Sequence, residues 1–375
     1  MASNEKSGTV RQAPMRNQET IHSIQVLRGL AASMVLVLHC FVYLEARGMI
    51  AKVPELANFG KAGVDIFFVI SGFIMIRMSE DNFAKPGAPI AFLVKRIIRI
   101  APTYWCYTLL MGLLAYMFPY LVSKGRTVSI EQLAASLFFV PWKNSLGDVF
   151  PVIFAGWTLN YEMYFYLIFS FLLVFKKTYF IPLLATILLL GLLFGFVWQP
   201  QSAVFHVCTS PLLMEFLMGC TIGVFYGRNI SVDYRMWYTL LFIGAVSIFV
   251  TGIHDGEDWP RVLNWGVPSA LIVASSVWLE KIRSVKFHSV FIKLGDSSYS
   301  LYLSHVFSIS LVGMVWKGLF GTFNAGFIVV AFLVSIVVGY AAYLIFEKPI
   351  TYRLNFAYKS LLTQRATKKE ARRIQ

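Results

Sequence analysis

About ten runs of predominantly apolar residues recur along this chain, and they constrain its fold more than any other feature. A helix needs about 20 mostly apolar residues to span a bilayer, where only helices and closed barrels satisfy their backbone polar groups. We therefore predict an all-α polytopic membrane protein with about ten transmembrane helices. The stretch 131–141 is too short to span. The predicted spans are 24–44, 62–78, 99–120, 157–175, 179–198, 209–227, 236–252, 262–280, 297–317 and 323–346.

The amino-acid composition excludes the main soluble alternatives. Hydrophobic residues make up 57% of the chain and charged residues 14%, against roughly 45–50% and 25% in ordinary soluble proteins. No compact soluble domain of this size buries so much apolar surface, and disorder, collagen and coiled coils are excluded too. The four cysteines lie in apolar stretches without CxxC spacing. They predict neither a disulfide framework nor a metal site.

The distribution of basic residues predicts how the chain lies in the membrane. A net charge of +14 would indicate nucleic-acid binding in a soluble protein, but here the basic residues cluster in loops and tails. With the N-terminus in the cytoplasm, that side holds roughly three times as many Lys and Arg residues as the other. We predict two cytoplasmic termini, the lipid bilayer as a partner and no nucleic-acid partner. The predicted organisation is a disordered cytoplasmic tail at 1–23, a transmembrane domain at 24–350 and a basic cytoplasmic tail at 351–375.

Ionisable residues inside spans are costly, so each one marks a candidate functional site. Arg28 and His39 are separated by three helical turns, which places them on one face about 16 Å apart along the axis. A cation near the helix entrance and an imidazole at depth suit an extended anionic ligand with a reactive far end, such as acyl-coenzyme A. Spacing alone leaves open that Arg28 only anchors the helix at the interface and that His39 is a structural histidine.

Three cations precede Pro102 in the run KRIIRIAP: Lys95, Arg96 and Arg99. Arg96 and Arg99 share a helical face, and guanidinium groups bind phosphate oxygens through paired hydrogen bonds. We predict that the three cations contact the phosphates of such a ligand. Ordinary positive charge on the cytoplasmic side is the alternative.

Two carboxylates are candidate catalytic partners of the histidine. Asp65 lies in the run GVDIFFVISGF, where the small residues Gly63, Ser71 and Gly72 favour close helix packing. Glu162 ends the run WTLNYE. Either carboxylate is able to orient an imidazole and stabilise its cationic form, as in a catalytic triad.

Polar and aromatic residues near these carboxylates predict a sugar site. Trp157, Asn160 and Tyr161 combine aromatic faces with an amide, although an interfacial aromatic belt explains the two aromatic residues equally well. The run SYSLYLSH adds Tyr299 and His305 to the candidate substrate-binding residues, with a structural histidine as the alternative.

Together, and in this order, these motifs resemble the acyltransferase-3 family of integral membrane acyltransferases. The resemblance covers about 22–350 and includes the Arg28–His39 pair and the terminal run FEKP, in which Glu347 is expected to pair with a cation. It is strongest to the bacterial branch that acetylates exopolysaccharides. The resemblance implies a multi-pass protein of the bacterial inner membrane, acyl-CoA as donor (acetyl-CoA in this branch) and a hydroxyl of a polysaccharide or its lipid-linked precursor as acceptor. It also implies an essential histidine and no permanently bound cofactor.

The sequence leaves the mechanism and one rival function open. His39 is able to act as a general base on a sugar hydroxyl, or to accept the acyl group as a transient acyl-imidazole. A transporter or flippase for a lipid-linked glycan or small molecule also uses buried Arg, His, Asp and Glu residues. Such proteins often show repeated halves, and we find no internal repeat in the sequence.

Overall fold

The computed structural model describes residues 20–119, 128–199, 201–228, 232–252 and 261–374. In this part of the chain the regular secondary structure is helical. Short 3₁₀ segments cover Glu55–Lys61 and Phe154–Gly156, and π-helical turns cover Val262–Gly266 and Tyr343–Glu347. The α-helices are α1 (His22–Ala46), α2 (Ala62–Ser79), α3 (Ala88–Met117), α4 (Ile130–Leu137), α5 (Trp157–Leu172), α6 (Lys177–Trp198), α7 (Ala203–Cys208), α8 (Leu213–Tyr226), α9 (Tyr234–Thr251), α10 (Val267–Arg283), α11 (Ser289–Asp296), α12 (Ser298–Phe320), α13 (Ala325–Ala342) and α14 (Lys348–Ile374).

Nine helical segments in the described residues are long and apolar enough to cross a membrane, which confirms an all-α polytopic membrane protein. The predicted span 157–175 is α5, a helix of only 16 residues. Nine of its residues are buried, while Leu167 and Phe171 are exposed, and its length is below the roughly 20 residues that a full span needs. The stretch 131–141 forms the eight-residue helix α4, which is too short to span, as predicted.

The structure describes the second predicted tail almost completely and only the last residues of the first. Residues 1–19 of the tail predicted at 1–23 lie outside the described residues, and α1 already begins at His22. The carboxylate of Glu280 accepts hydrogen bonds of 2.8 Å from the backbone N–H groups of His22 and Ser23. It therefore supplies the cap that the residue before α1 does not provide. The tail predicted at 351–375 is helical as far as Ile374.

Close glycine contacts hold the centre of the bundle together. A Cβ added to Gly219 of α8 would lie 2.0 Å from the carbonyl oxygen of Val69 in α2, and one added to Gly72 would lie 2.1 Å from that of Phe216. The backbones of α2 and α8 therefore touch, and α2 is largely buried. On the other side of α2, a Cβ on Gly63 would lie 2.5 Å from the carbonyl oxygen of Ala31 in α1. The packing role predicted for Gly63 and Gly72 is confirmed.

Candidate active site

A small cavity of about 130 Å³ lies between α1, α2, α3, α5 and α12. We call it the basic chamber because three arginines line it. Arg28 comes from α1, and Arg96 and Arg99 come from successive turns of α3, as their shared helical face predicts. Lys95, which was grouped with them from the sequence, is exposed and is not among the residues that line the cavity.

Acidic groups offset part of the positive charge of the basic chamber. Arg99 forms an ion pair with Glu347, which is fully buried. Glu347 also accepts hydrogen bonds from the backbone N–H (3.1 Å) and the hydroxyl of Ser300. The π-helical turn Tyr343–Glu347 carries this carboxylate. The expected pairing of Glu347 with a cation is confirmed, and because it engages Arg99, we infer that Arg28 and Arg96 dominate the positive field of the chamber.

Glu162 also lines the basic chamber, on the first turns of α5. Its carboxylate accepts hydrogen bonds from the hydroxyl of Ser71 (2.9 Å) and from the hydroxyl of Tyr166. The sequence proposed Glu162 as a partner of the histidine, but in the described structure no hydrogen bond joins it to His39. Ser71 was expected to serve packing alone, and it instead binds this carboxylate.

A larger cavity of about 930 Å³ lies toward the end of α1, and we call it the histidine chamber. His39 lines it together with Trp157, Asn160 and Tyr161 from the first turns of α5. The structure therefore brings the candidate catalytic histidine and three of the candidate sugar-binding residues into one space. Asn160 and Tyr161 are otherwise buried, so their exposure is limited to this cavity.

The hydrogen bonding of His39 fixes the tautomer of its neutral imidazole. Its Nδ1 lies 2.9 Å from the carbonyl oxygen of Val35, one turn earlier in α1. A carbonyl oxygen only accepts, so Nδ1 carries the hydrogen and Nε2 keeps its lone pair. A nitrogen lone pair in a roomy cavity is what a general base or a nucleophile requires.

His305 packs beside His39, with their ring centroids 4.8 Å apart. It is 1% exposed and is not among the residues lining either chamber. Its Nε2 has no hydrogen-bond partner among the described residues. Tyr299, also expected on the acceptor side, lines the basic chamber and donates a hydrogen bond of 2.8 Å to the carbonyl oxygen of Ile100.

Asp65 forms an ion pair with Arg261 rather than with the imidazole. The guanidinium group donates from Nε and Nη2 to the two carboxylate oxygens of Asp65, at 3.1 and 3.0 Å. The same guanidinium lies over the rings of Trp157 and Trp265, 5.5 and 5.6 Å from their centroids. Asp65 thus holds a wall of the histidine chamber in place, because Arg261 and Trp157 both line that chamber.

Sequence reasoning missed several residues of the site. Arg261 lies just before the π-helical turn Val262–Gly266, where no periodic pattern marks it. Tyr166 follows Glu162 by one helical turn, so the i, i+4 spacing is a signal that could have found it. Tyr302 lines both chambers and lies within a run that the sequence did single out.

Comparison with known proteins agrees with this arrangement. Residues 21–344 match a family model named Acyl_transf_3 and described as an acyltransferase domain. The chain is 36% identical over 301 residues to the Exopolysaccharide production protein ExoZ of Rhizobium meliloti (strain 1021), which covers 78% of this chain and 90% of that protein. It is 26% identical over 289 residues to the "Putative O-acetyltransferase SACOL0978" of Staphylococcus aureus (strain COL), covering 68% of this chain and 46% of that protein. No solved structure gives a significant match.

The family match and the relatives together support O-acyltransferase activity in a membrane protein. The family model covers most of the chain, from before the first arginine of the basic chamber to the turn that carries Glu347. The first of the two relatives is matched over nine-tenths of its own length. The chain belongs to the acyltransferase-3 family of integral membrane acyltransferases.

Proposed function

We propose that this protein moves an acyl group, in particular acetyl, from acyl-CoA to a hydroxyl of a cell-surface polysaccharide or its lipid-linked precursor. The observation that carries the proposal is that one helix, α1, presents Arg28 to the basic chamber and His39 to the histidine chamber. A cationic entrance and an imidazole three turns further along match a donor with phosphates at one end and a thioester at the other. We further propose the bacterial inner membrane as its location, with both termini in the cytoplasm.

The size of the basic chamber limits how the donor binds. Its volume of about 130 Å³ is below the roughly 300–1,000 Å³ of typical small-molecule sites. Only the narrow arm of acyl-CoA that carries the thioester enters it, and the nucleotide stays outside, at the end of the bundle where α1 begins. Arg28 and Arg96 attract the phosphates toward the mouth of the chamber, and Lys95 acts only through its charge at the surface.

The free Nε2 of His39 performs the chemistry in either of two ways. As a general base, it takes the proton of the acceptor hydroxyl while that oxygen attacks the thioester carbonyl. The carbon–sulfur bond then breaks, and the thiolate takes up the proton to leave as free coenzyme A. As a nucleophile, Nε2 attacks the thioester carbonyl, the carbon–sulfur bond breaks and coenzyme A leaves as the thiolate. The acceptor hydroxyl then attacks the acyl-imidazole, the carbon–nitrogen bond breaks, and the hydroxyl proton neutralises the thiolate. Both routes require the tautomer that the carbonyl of Val35 holds.

The histidine chamber suits a carbohydrate acceptor. Its volume of about 930 Å³ falls in the range of small-molecule sites, and Trp157 and Tyr161 offer aromatic faces to sugar rings. Asn160 supplies an amide for hydroxyl groups. The similarity to the exopolysaccharide production protein of Rhizobium meliloti supports an acceptor of this class.

Transfer of radiolabel from acetyl-CoA tests the proposal. The purified protein is incubated with labelled acetyl-CoA and with polysaccharide or lipid-linked precursor from the source cells, and labelled product is counted. His39→Ala should abolish transfer, while Arg28→Ala should mainly raise the KM for acetyl-CoA, because the charge contacts the donor and not the reacting atoms.

Matched substitutions separate these effects from general damage. His288→Ala removes an exposed histidine that caps α11, and Arg235→Ala removes an exposed arginine of α9; both should retain transfer. If the folded wild-type protein neither binds acetyl-CoA nor labels any acceptor, the acyltransferase proposal is wrong. A transporter or flippase for a lipid-linked glycan then becomes the leading explanation for the buried charges.

A further inference from the structure

The basic chamber and the histidine chamber meet at two residues, Val64 of α2 and Tyr302 of α12. Both side chains line both cavities. Tyr302 is the larger of the two and is only 8% exposed. Its ring therefore forms part of the wall between the space assigned to the donor and the space that contains His39.

A hydrogen bond holds the Tyr302 ring in this wall. Its hydroxyl lies 3.2 Å from Oγ1 of Thr158, which lines the basic chamber. The Thr158 hydroxyl is also able to donate to the carbonyl oxygen of Ala155, at 3.4 Å. Either hydroxyl is able to donate in the bond between Tyr302 and Thr158.

The side chain of Tyr302 is bordered by two aromatic rings and by both cavities. Its ring makes an edge contact with Phe67 of α2, at a centroid distance of 6.1 Å, and lies 5.9 Å from the ring of His305. Cavity space lies on both sides of the ring, and serines (Ser298, Ser300 and Ser304) occupy neighbouring positions of α12. Rotation of the side chain away from Thr158 would break this hydrogen bond and the ring contacts with Phe67 and His305.

We propose that Tyr302 is a movable seal that separates the two chambers when it is hydrogen-bonded to Thr158 and connects them when its side chain rotates away. The purpose of the seal rests on the proposed function. A closed seal keeps water of the histidine chamber from the thioester, and an open seal lets the acyl group reach His39. Leakage would be hydrolysis, in which a water oxygen bonds to the acyl carbon, the carbon–sulfur bond breaks, and free acid and thiol are released.

Thiol labelling tests the seal without any need for activity. The four cysteines are first replaced, and single cysteines are introduced as Val42→Cys in the histidine chamber or Ile74→Cys in the basic chamber. A membrane-impermeant methanethiosulfonate is added to sealed right-side-out or inverted vesicles. Labelling of Val42→Cys identifies the vesicles in which the histidine chamber faces the reagent.

In those vesicles, Ile74→Cys should be protected while Tyr302 is present and should become labelled when Tyr302→Ala is added. Tyr238→Ala, which removes a tyrosine at the lipid-facing side of α9, should leave it protected. The proposal is overturned if Ile74→Cys is already labelled from this side with Tyr302 intact. It is equally overturned if Ile74→Cys stays protected in the Tyr302→Ala chain.

Acceptor-free hydrolysis of acetyl-CoA provides the second readout. Tyr302→Phe keeps the ring and removes the hydrogen bond, so hydrolysis should rise about two- to tenfold, the range that one net hydrogen bond allows. Thr158→Val should match it, and Tyr302→Ala should exceed both. Unchanged hydrolysis in all three variants of an active enzyme would refute the seal. If no variant uses acetyl-CoA at all, the proposed function fails, while the labelling experiment still decides whether Tyr302 separates the chambers.

Discussion

The ion pair between Asp65 and Arg261 gives a quantitative test of how the site is built. Asp65 is 0% exposed and the Arg261 side chain 15%, and two hydrogen bonds join them. Removal of one partner from a buried pair leaves an uncompensated charge and costs about 3–5 kcal/mol. Asp65→Ala and Arg261→Ala should therefore each lower the free energy of unfolding by an amount in this range.

A double-mutant cycle isolates the interaction from the cost of each single substitution. The double variant Asp65→Ala/Arg261→Ala leaves no charge stranded, so its loss should fall short of the sum of the two single losses by about 2–3 kcal/mol. Unfolding in mixed micelles, titrated with a denaturing detergent and followed by tryptophan fluorescence, measures all four proteins.

The same cycle between Asp65 and His39 is the control. These two residues share no hydrogen bond in the described structure, so their coupling should stay within about 0.5 kcal/mol. Strong coupling of Asp65 to His39 together with none to Arg261 would refute the reasoning. It would restore the triad-like role that the sequence alone proposed for this carboxylate.

Two further predictions concern packing and donor binding. Gly219→Ala should destabilise the protein or abolish its expression in folded form, since the new Cβ would lie 2.0 Å from the carbonyl oxygen of Val69. Gly318→Ala is the control, because its Cβ would meet nothing within 4 Å. Equal yields and melting temperatures for the two variants would contradict the close packing of α2 and α8. Glu347→Gln should lower the KM for acetyl-CoA severalfold with a smaller change in kcat, because it removes the negative charge that offsets Arg99 beside the basic chamber. Steady-state kinetics measures both constants, and an unchanged KM would argue against this role.

The helical architecture was accessible from the sequence because lipid imposes a simple rule on every span. Long apolar runs must be helical, so the approximate positions of nine of the ten predicted spans followed from hydropathy alone, and the described residues contain nine helices long enough to span. The shortness of α5 did not follow, because hydropathy marks an apolar run but not the residue within it at which a helix ends. The small residues Ser71 and Gly72 predicted close packing of α2, although not that its partner would be α8.

The structure places most of the predicted site residues along the two chambers, but their hydrogen-bond and ion-pair partners were not predicted. The three-turn spacing of Arg28 and His39 placed both on one face of α1, and the two chambers lie along that helix. The partner of each carboxylate depends on how the helices cross in three dimensions. The spacing of residues along one helix does not determine these crossings. Asp65 is paired with an arginine 196 residues away, and Glu162 lies in the basic chamber.

The sidedness of donor use tests the central claim, that the donor enters at one end of α1 and the acceptor is bound toward the other. Labelled acetyl-CoA is supplied either outside or inside sealed vesicles of known orientation, with acceptor present on both sides, and labelled acceptor is counted. The account predicts transfer only when acetyl-CoA is on the side where α1 begins, and its loss in the His39→Ala protein. Equal transfer with the donor on either side would contradict it.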